Sequence, residues 1–157
     1  MNDETGISRI AAMANHVAHA SMLIRRPVAD VFGAFVNPDT ITKFWLESTT
    51  GPLGRGAQVR WAFMVPGATE TVTVIAFEDN RRIAFDWSDG NRVNMVFEAR
   101  GNGATRLAVE VTGLKDESAA VNATEGFSIV LCDLKTLLES GRSANLVRDK
   151  AELIAAS

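Results

Sequence analysis

The feature that most constrains the fold is a run of five segments between residues 57 and 111 in which apolar side chains recur at every second position. Short turns rich in Gly, Pro, Asn or Asp separate them, and Asp89-Gly90 is typical of a tight hairpin. A period of two predicts strands with one buried face, and short turns predict that successive strands pair antiparallel. We therefore predict a meander with strands at 57–65, 69–78, 83–87, 93–98 and 107–111.

Further segments flank the meander on its N-terminal side. Residues 16–26 alternate between apolar and polar positions, which predicts another strand. Pro27 suits the first turn of a short helix, since its missing N–H costs nothing there. Asn37 followed by Pro38 is typical of the capped start of a second helix. The order so far is strand, two short helices and five strands.

The C-terminal part has helical spacing. Phe127 and the Val and Leu residues that follow it form one apolar stripe, which predicts a helix over 123–140. That helix would be roughly 27 Å long, enough to cross a sheet. Asn122 and Glu125 resemble a capping pair at its start, and Gly141 is a plausible stop before further turns at 144–155.

Composition limits the classes of protein to consider. A chain of 157 residues fits one domain, which we assign to 16–157 after a flexible or weakly helical segment at 1–15. The formal charge of −3, without a basic cluster, argues against nucleic acid as a partner. A single cysteine, Cys132, excludes an internal disulfide, and we expect it to be a buried small hydrophobe. With no run of about 20 apolar residues and no secretory signal, we predict a cytoplasmic protein without a membrane span.

Eight short motifs follow one another along the chain: Pro27, Val31-Phe32, Asn37-Pro38-Asp39, Phe44-Trp45, Gly54-Arg55-Gly56, 82–87, 103–107 and Gly126-Phe127. In this order and spacing they resemble the START-like or SRPBCC superfamily, and within it the Activator of Hsp90 ATPase homologue 1-like group. The resemblance runs from about His16 to Gly141, and Phe44 and Phe127 stand where that group often has tryptophan. It implies an α+β helix-grip fold: a curved antiparallel sheet of six to seven strands wrapped around a long C-terminal helix, with a cavity between them.

The aromatic side chains of the predicted elements have two interpretations. They can fill a packed core, as apolar alternation usually indicates, or they can line a pocket for a ligand. Trp and Met favour a pocket because they present wide, adaptable apolar surface. With the resemblance taken into account, a ligand pocket explains these residues at least as well as a packed core does. The candidate wall residues are Trp45, Trp61, Phe63, Phe85, Trp87, Met95, Phe97 and Phe127.

We weigh three functions. The first is binding of a small hydrophobic or amphipathic ligand without a cofactor, and the second is a co-chaperone-like protein-interaction module. The third is a cyclase- or hydrolase-like enzyme that uses Asp86, Glu70 or Glu125, although no convergent acid–base pair is evident. Other polar candidates, Asn94, Glu98 and Glu110, are expected at or near the solvent face.

Three further features bear on ligands and partners. His16 and His19, at i and i+3 of a strand, should point to opposite faces, so no metal site is predicted. Gly126 inside the long helix needs a compensating reason, for which we favour close packing of the sheet over space for a ligand. The apolar residues Leu146, Val147 and Ile154 make a homodimer possible.

Overall fold

The computed structural model describes residues 16–157, and the strands of this part of the chain form one antiparallel sheet. Their order in the sheet is β1-β7-β6-β5-β4-β3-β2, so β1 returns beside the last strand and β2 forms the opposite edge. The predicted α+β helix-grip architecture is confirmed. The elements are β1 His16–Ile24, α1 Val28–Val36, α2 Pro38–Phe44, β2 Leu46–Thr49, β3 Gln58–Phe63, β4 Thr69–Glu78, β5 Arg82–Asp86, β6 Arg92–Arg100, β7 Ala104–Leu114, α3 Glu117–Ser140 and α4 Leu146–Ala155. The prediction for residues 1–15 lies outside the described residues.

The short helices begin close to where the sequence places them. Asn37 caps α2, because its side-chain oxygen accepts a hydrogen bond from Asp39 N at 2.9 Å, and Pro38 occupies the first helical position. Pro27 precedes α1 as its cap residue, one position earlier than the first turn. The short strand β2, which follows directly after Trp45, was not predicted.

A bulge in β4 corrects the predicted strand pattern. Strict alternation puts Phe77 on the face opposite to Val74, but the pairing of β4 with β5 shifts by one residue between Val74 and Ala76. The extra residue, Ile75, points to solvent with 44% of its surface exposed. Phe77 therefore turns to the concave face, where its ring meets Phe32 at 5.3 Å between centroids. Such bulges bend a strand and increase its twist.

A second shift bends the pairing of β1 with β7, between His16 and Ala18. It lies beside Gly113, whose φ of +81° disfavours any residue with a side chain. A methyl group at Gly113 would also lie 3.2 Å from the carbonyl oxygen of Gly90. Together the two bulges help to curve the sheet around α3.

The long helix α3 begins earlier than predicted. Its cap is Asp116, which accepts a hydrogen bond from Ala119 N at 2.8 Å, so the proposed Asn122 and Glu125 capping pair is wrong. At 24 residues the helix is about 36 Å long. It ends as predicted at Gly141, which has a φ of +82° and donates its N–H to Leu137 O.

One side of α3 packs against the concave face of the sheet. Leu131 and Leu134 are fully buried there, in one core with Phe35, Trp61 and Phe85 of the other elements. Cys132 follows Leu131 on the outward side of the helix and is exposed, so the expectation that it is buried is wrong. The side chain one position after a core residue lies about 100° further around a helix, which carries it toward solvent.

Candidate functional site: an apolar cavity at the open end of the sheet

A cavity of about 430 Å³ lies where the β3–β4 and β5–β6 hairpins, the end of β7, the first half of α3 and α4 converge. Most of its wall is aliphatic or aromatic, and its few polar side chains come mainly from the β5–β6 hairpin and the two helices. The residues that line it are Trp45, Phe63, Met64, Val65, Ala68, Trp87, Asp89, Asn91, Val111, Leu114, Asn122, Ala123, Gly126, Phe127, Ile129, Val130, Val147, Lys150, Ala151 and Ile154.

Four of the eight predicted wall residues line this cavity. The rings of Phe63 and Trp87 stack with an interplanar angle of 9° and centroids 5.5 Å apart. Trp45 meets Phe127 edge to face at 5.5 Å. The wall therefore presents both flat aromatic faces and ring edges, which are the surfaces that aromatic and aliphatic groups pack against.

The other four predicted residues lie in the packed core. Trp61 is 1% exposed and is ringed by aromatic side chains, with Trp45 at 4.9 Å and Phe85 at 5.2 Å. Met95 is fully buried, and Phe97 packs edge to face on Phe32 of α1 at 5.1 Å. All eight side chains face the interior. Those near the end of the sheet where the cavity lies form its wall, and those further from that end form the packed core.

Trp87 carries an unusual polar atom. Its Nε1 is buried and has no hydrogen-bond partner among residues 16–157. A buried donor left unpaired costs about 1–3 kcal/mol, and a rearrangement that supplied an acceptor would recover that free energy. The residue borders the cavity, although Nε1 itself has almost no accessible surface.

Gly126 faces the cavity, and the favoured explanation for this glycine is wrong. A methyl group built at Gly126 would meet no heavy atom within 4 Å, beyond the neighbouring backbone, so no element approaches it closely. Ala123 and Val130 flank it on the same face of α3 and also line the cavity. Gly126 is itself exposed, so the missing side chain leaves solvent-reached space beside α3, at the edge of the cavity, instead of admitting the sheet.

Helix α4 forms a wall that the sequence reasoning missed. Val147, Lys150, Ala151 and Ile154 lie on one face at helical spacing and all border the cavity. Two of them, Val147 and Ile154, were assigned to a possible dimer edge. The amphipathic spacing was visible in the sequence, but nothing local indicates whether such a stripe covers a cavity or meets a partner.

A buried carboxylate in α3 also escaped the sequence reasoning. Asp133 is 1% exposed, and its two oxygens accept hydrogen bonds from Ser143 Oγ at 3.0 Å and Val147 N at 3.2 Å. It thereby fixes the first turn of α4. The only sequence clue was an acidic residue in the middle of an apolar stripe.

The candidate acids for catalysis are engaged in pairs near the surface. Asp86 binds Arg92 on the outer face of the sheet, with Arg92 Nε 2.7 Å from Oδ1 and Nη2 3.1 Å from Oδ2. Glu70, opposite Trp61 in the ladder, accepts a hydrogen bond from Ser88 Oγ at 2.6 Å. Glu125 lies 2.6 Å from Lys150 Nζ between α3 and α4. The structure does not bring these three acids together.

The remaining polar candidates have similar surroundings. Asn94 accepts a hydrogen bond from Arg82 Nε at 2.7 Å, and Glu98 pairs with Arg100 at 3.2 Å. Glu110 lies 3.9 Å from Nδ1 of His19. Within residues 16–157, no three His, Cys, Asp or Glu side chains cluster in a way that could hold a metal ion. No helix in that same range is both long and apolar enough to cross a bilayer.

The Asp86–Arg92 pair makes stability depend on acid pH. The hydrogen bonds from Arg92, opposed by partial burial and aided by its charge, lower the pKa of the Asp86 carboxyl. Because the pKa is lower in the folded state, the stabilisation is present above the unfolded pKa of about 3.9 and is lost as pH falls through the folded value. We expect Asp86→Asn to be less stable than wild type at neutral pH, with the difference vanishing at the acid end.

Thermal unfolding measured from about pH 7 down to about pH 2 checks this expectation. The matched control is Asp86→Asn in an Arg92→Met background, in which the substitution should have a small effect that varies little with pH. An equally large, pH-dependent loss in both backgrounds would contradict the assignment of Arg92 as the cause.

Comparisons with known proteins agree with this fold. The family model described as Activator of Hsp90 ATPase homolog 1-like protein matches residues 25–139. A search of curated proteins finds no significant match. The matched region ends within α3, so α4 lies beyond it.

Solved structures of similar fold come from several bacteria. The protein SSP2350 from Staphylococcus saprophyticus is 26% identical with a TM-score of 0.72, over 81% of this chain and 94% of its own. The Aha1 dimer from Colwellia psychrerythraea is 16% identical with a TM-score of 0.73, over 81% and 98%. CalU16 from Micromonospora echinospora is 18% identical with a TM-score of 0.66, over 92% and 97%.

Proposed function

The chain belongs to the Activator of Hsp90 ATPase homologue 1-like family, and from this premise we propose that it binds a small hydrophobic or amphipathic molecule in the cavity beside α3. The observation that carries the proposal is the cavity itself, about 430 Å³ in volume and walled mostly by apolar side chains, with the exposed Gly126 at its edge. A helix-interior glycine costs about 0.5–1 kcal/mol relative to alanine, and here no close contact offsets that cost. Occupancy of the cavity by a ligand supplies the missing reason.

The size and chemistry of the wall support a ligand of this class. A volume of about 430 Å³ lies within the range of about 300–1,000 Å³ that is usual for small-molecule sites. The stacked rings of Phe63 and Trp87 give a flat apolar surface. The polar side chains Asn91, Asn122 and Lys150 suit an amphipathic molecule whose apolar body contacts the rings and whose polar group reaches these side chains.

A panel of fatty acids, sterols and polycyclic aromatic compounds tests the proposal. Binding should change tryptophan fluorescence, because Trp45 and Trp87 line the cavity, and should raise Tm through mass action. The control is the same panel against Trp87→Phe, which keeps an aromatic wall and removes one reporter. If no compound changes either Tm or fluorescence, ligand binding by this cavity is excluded for these classes.

A second candidate function is self-association or docking of another protein through the outer face of the sheet. Four apolar side chains, Val17, Leu23, Ile75 and Val96, are 39–44% exposed on that face. The Aha1 protein from Colwellia psychrerythraea has been solved as a dimer. Sedimentation of the wild type beside Leu23→Lys tests self-association, which requires a dimer in wild type and a shift to monomer in the variant.

A further inference from the structure

Helix α4 is attached to the rest of the molecule through few buried apolar groups. Among its described residues Ala151 is the one that is fully buried, whereas Leu153 and Ile154 are 67% and 50% exposed. A ten-residue helix is marginal in water without tertiary contacts, since isolated helices need about 12–15 residues or more. The contacts that fix α4 therefore decide whether it is formed and docked.

Polar contacts also join α4 to the neighbouring elements. Arg148 pairs with Glu47 at 3.0 Å, and Lys150 pairs with Glu125 at 2.6 Å. Both pairs are exposed to solvent, where an ion pair contributes little. The buried contact is that of Asp133, which holds Val147 N and Ser143 Oγ.

Asp133 takes the place of an ordinary helix cap. Asn145, the residue before α4, has a φ of +58°, and its side chain makes no capping hydrogen bond within the described chain. The carboxylate of Asp133, contributed from the neighbouring helix, accepts the N–H of Val147 in the first turn instead. A negative charge at a helix N-terminus is also favoured by the helix dipole. The start of α4 therefore depends on one buried side chain of α3.

The connection between the two helices has the geometry of a hinge. It is five residues long, from Gly141 to Asn145, and both end residues have positive φ. Hinges are a few loop or element-terminal residues that absorb changes in φ and ψ. Because α4 forms one side of a cavity that is already open to solvent, movement about this connection would widen its entrance.

We propose that α4 is a lid over one side of the cavity, that it opens as a unit about residues 141–145, and that Asp133 is the latch that keeps it docked. The role of the lid in ligand entry depends on the proposed function, whereas the opening itself does not. A segment with few buried apolar contacts is expected to open locally, well below the free energy of global unfolding.

Hydrogen exchange tests the opening without any ligand. In the wild type, amides of α4 should exchange faster than those of α3 and the central strands. Asp133→Ala should raise exchange in α4 by about 10- to 100-fold, the effect of losing hydrogen bonds to a charged group, and leave the sheet amides unchanged. Thr105→Val is the control, since it removes a buried hydrogen bond to Arg26 O at a site distant in sequence from α4.

A milder variant keeps the test decisive if Asp133→Ala fails to fold. Ser143→Ala leaves α3 unaltered but removes one of the two hydrogen bonds to Asp133 and the acceptor of Asn145 N, and it should raise exchange in α4 by several-fold. If α4 exchanges at the rate of α3 in the wild type, or if the foldable latch variants leave exchange in α4 unchanged, the lid is excluded.

Binding kinetics of anilinonaphthalene sulfonate, a dye that fluoresces in apolar sites, test the link to the cavity. If α4 gates entry, Ser143→Ala should raise the association and dissociation rate constants together by several-fold, with a much smaller change in Kd. A change in the dissociation rate alone would mean that α4 is a fixed wall and would overturn gating. If the dye does not bind at all, the proposed function is weakened, while the exchange result still decides whether α4 opens.

Discussion

Replacing Trp61 by alanine is expected to lower the free energy of unfolding by about 3–5 kcal/mol, the range for deleting a fully buried large aromatic side chain. Trp61 is 1% exposed, and its ring contacts those of Trp45, Phe63, Phe85 and Trp87. The surrounding rings belong to the end of α2, to β3 and β5, and to the residue that follows β5, so the resulting cavity cannot close without moving several elements. This substitution is the largest destabilisation we predict.

Trp87→Ala is the matched comparison, because it deletes the same side chain from the wall of the cavity. We expect it to cost no more than about 2 kcal/mol, since the ring is only partly buried and its unpaired Nε1 is removed with it. The variant should lose more free energy of ligand binding than free energy of unfolding. Urea unfolding of both variants measures the difference, and equal losses of stability would contradict the separation of core from wall.

Filling the space at Gly126 is expected to remove ligand binding while preserving the fold. Gly126 borders the cavity at an exposed position where a first methyl group meets no atom within 4 Å, so a tryptophan there has room to lie across the cavity wall. Displacing about four methylene-sized groups of a ligand, at roughly 0.8 kcal/mol each, corresponds to an affinity loss of at least about 100-fold. The loss should appear as a fluorescence titration that no longer saturates with the tightest compound of the panel.

Gly126→Ala is the control for this experiment. Because alanine is the better helix former and meets no clash, it should raise stability by about 0.5–1 kcal/mol and leave binding nearly unchanged. If Gly126→Trp binds as tightly as Gly126→Ala, the ligand does not occupy the space beside α3. If Gly126→Ala is destabilising, the glycine is needed for a contact after all.

Local pattern determined most of the fold. Period-two alternation, the Asp89-Gly90 turn and the Asn37-Pro38 cap are properties of neighbouring residues, and the corresponding strands and helix are present where they were predicted. The bulge at Ile75 was missed because it depends on how β4 pairs with β5, which a single strand does not encode. The start of α3 was misplaced because the apolar stripe becomes continuous only several turns after the true cap at Asp116.

The candidate site was less predictable because it depends on tertiary arrangement. The six candidates in the meander alternate as predicted and all eight face the interior, but distance from the open end of the sheet decides which of them border the cavity. We expected Gly126 to allow close packing of the sheet, but the sequence alone does not show whether a glycine lies against another element or beside open space. The contact of Asp133 with α4 joins residues 10 and 14 positions apart in the chain, across a turn whose geometry the sequence does not specify.

A co-crystal structure with a bromine-labelled analogue of the tightest compound from the panel tests the central claim most directly, since the anomalous signal of bromine locates the ligand. We predict a single bromine site in the cavity between Trp87, Phe127 and the inner face of α4. A bromine site on the outer face of the sheet, or a cavity closed by its own side chains in the complex, would contradict the claim that this protein binds its ligand beside α3.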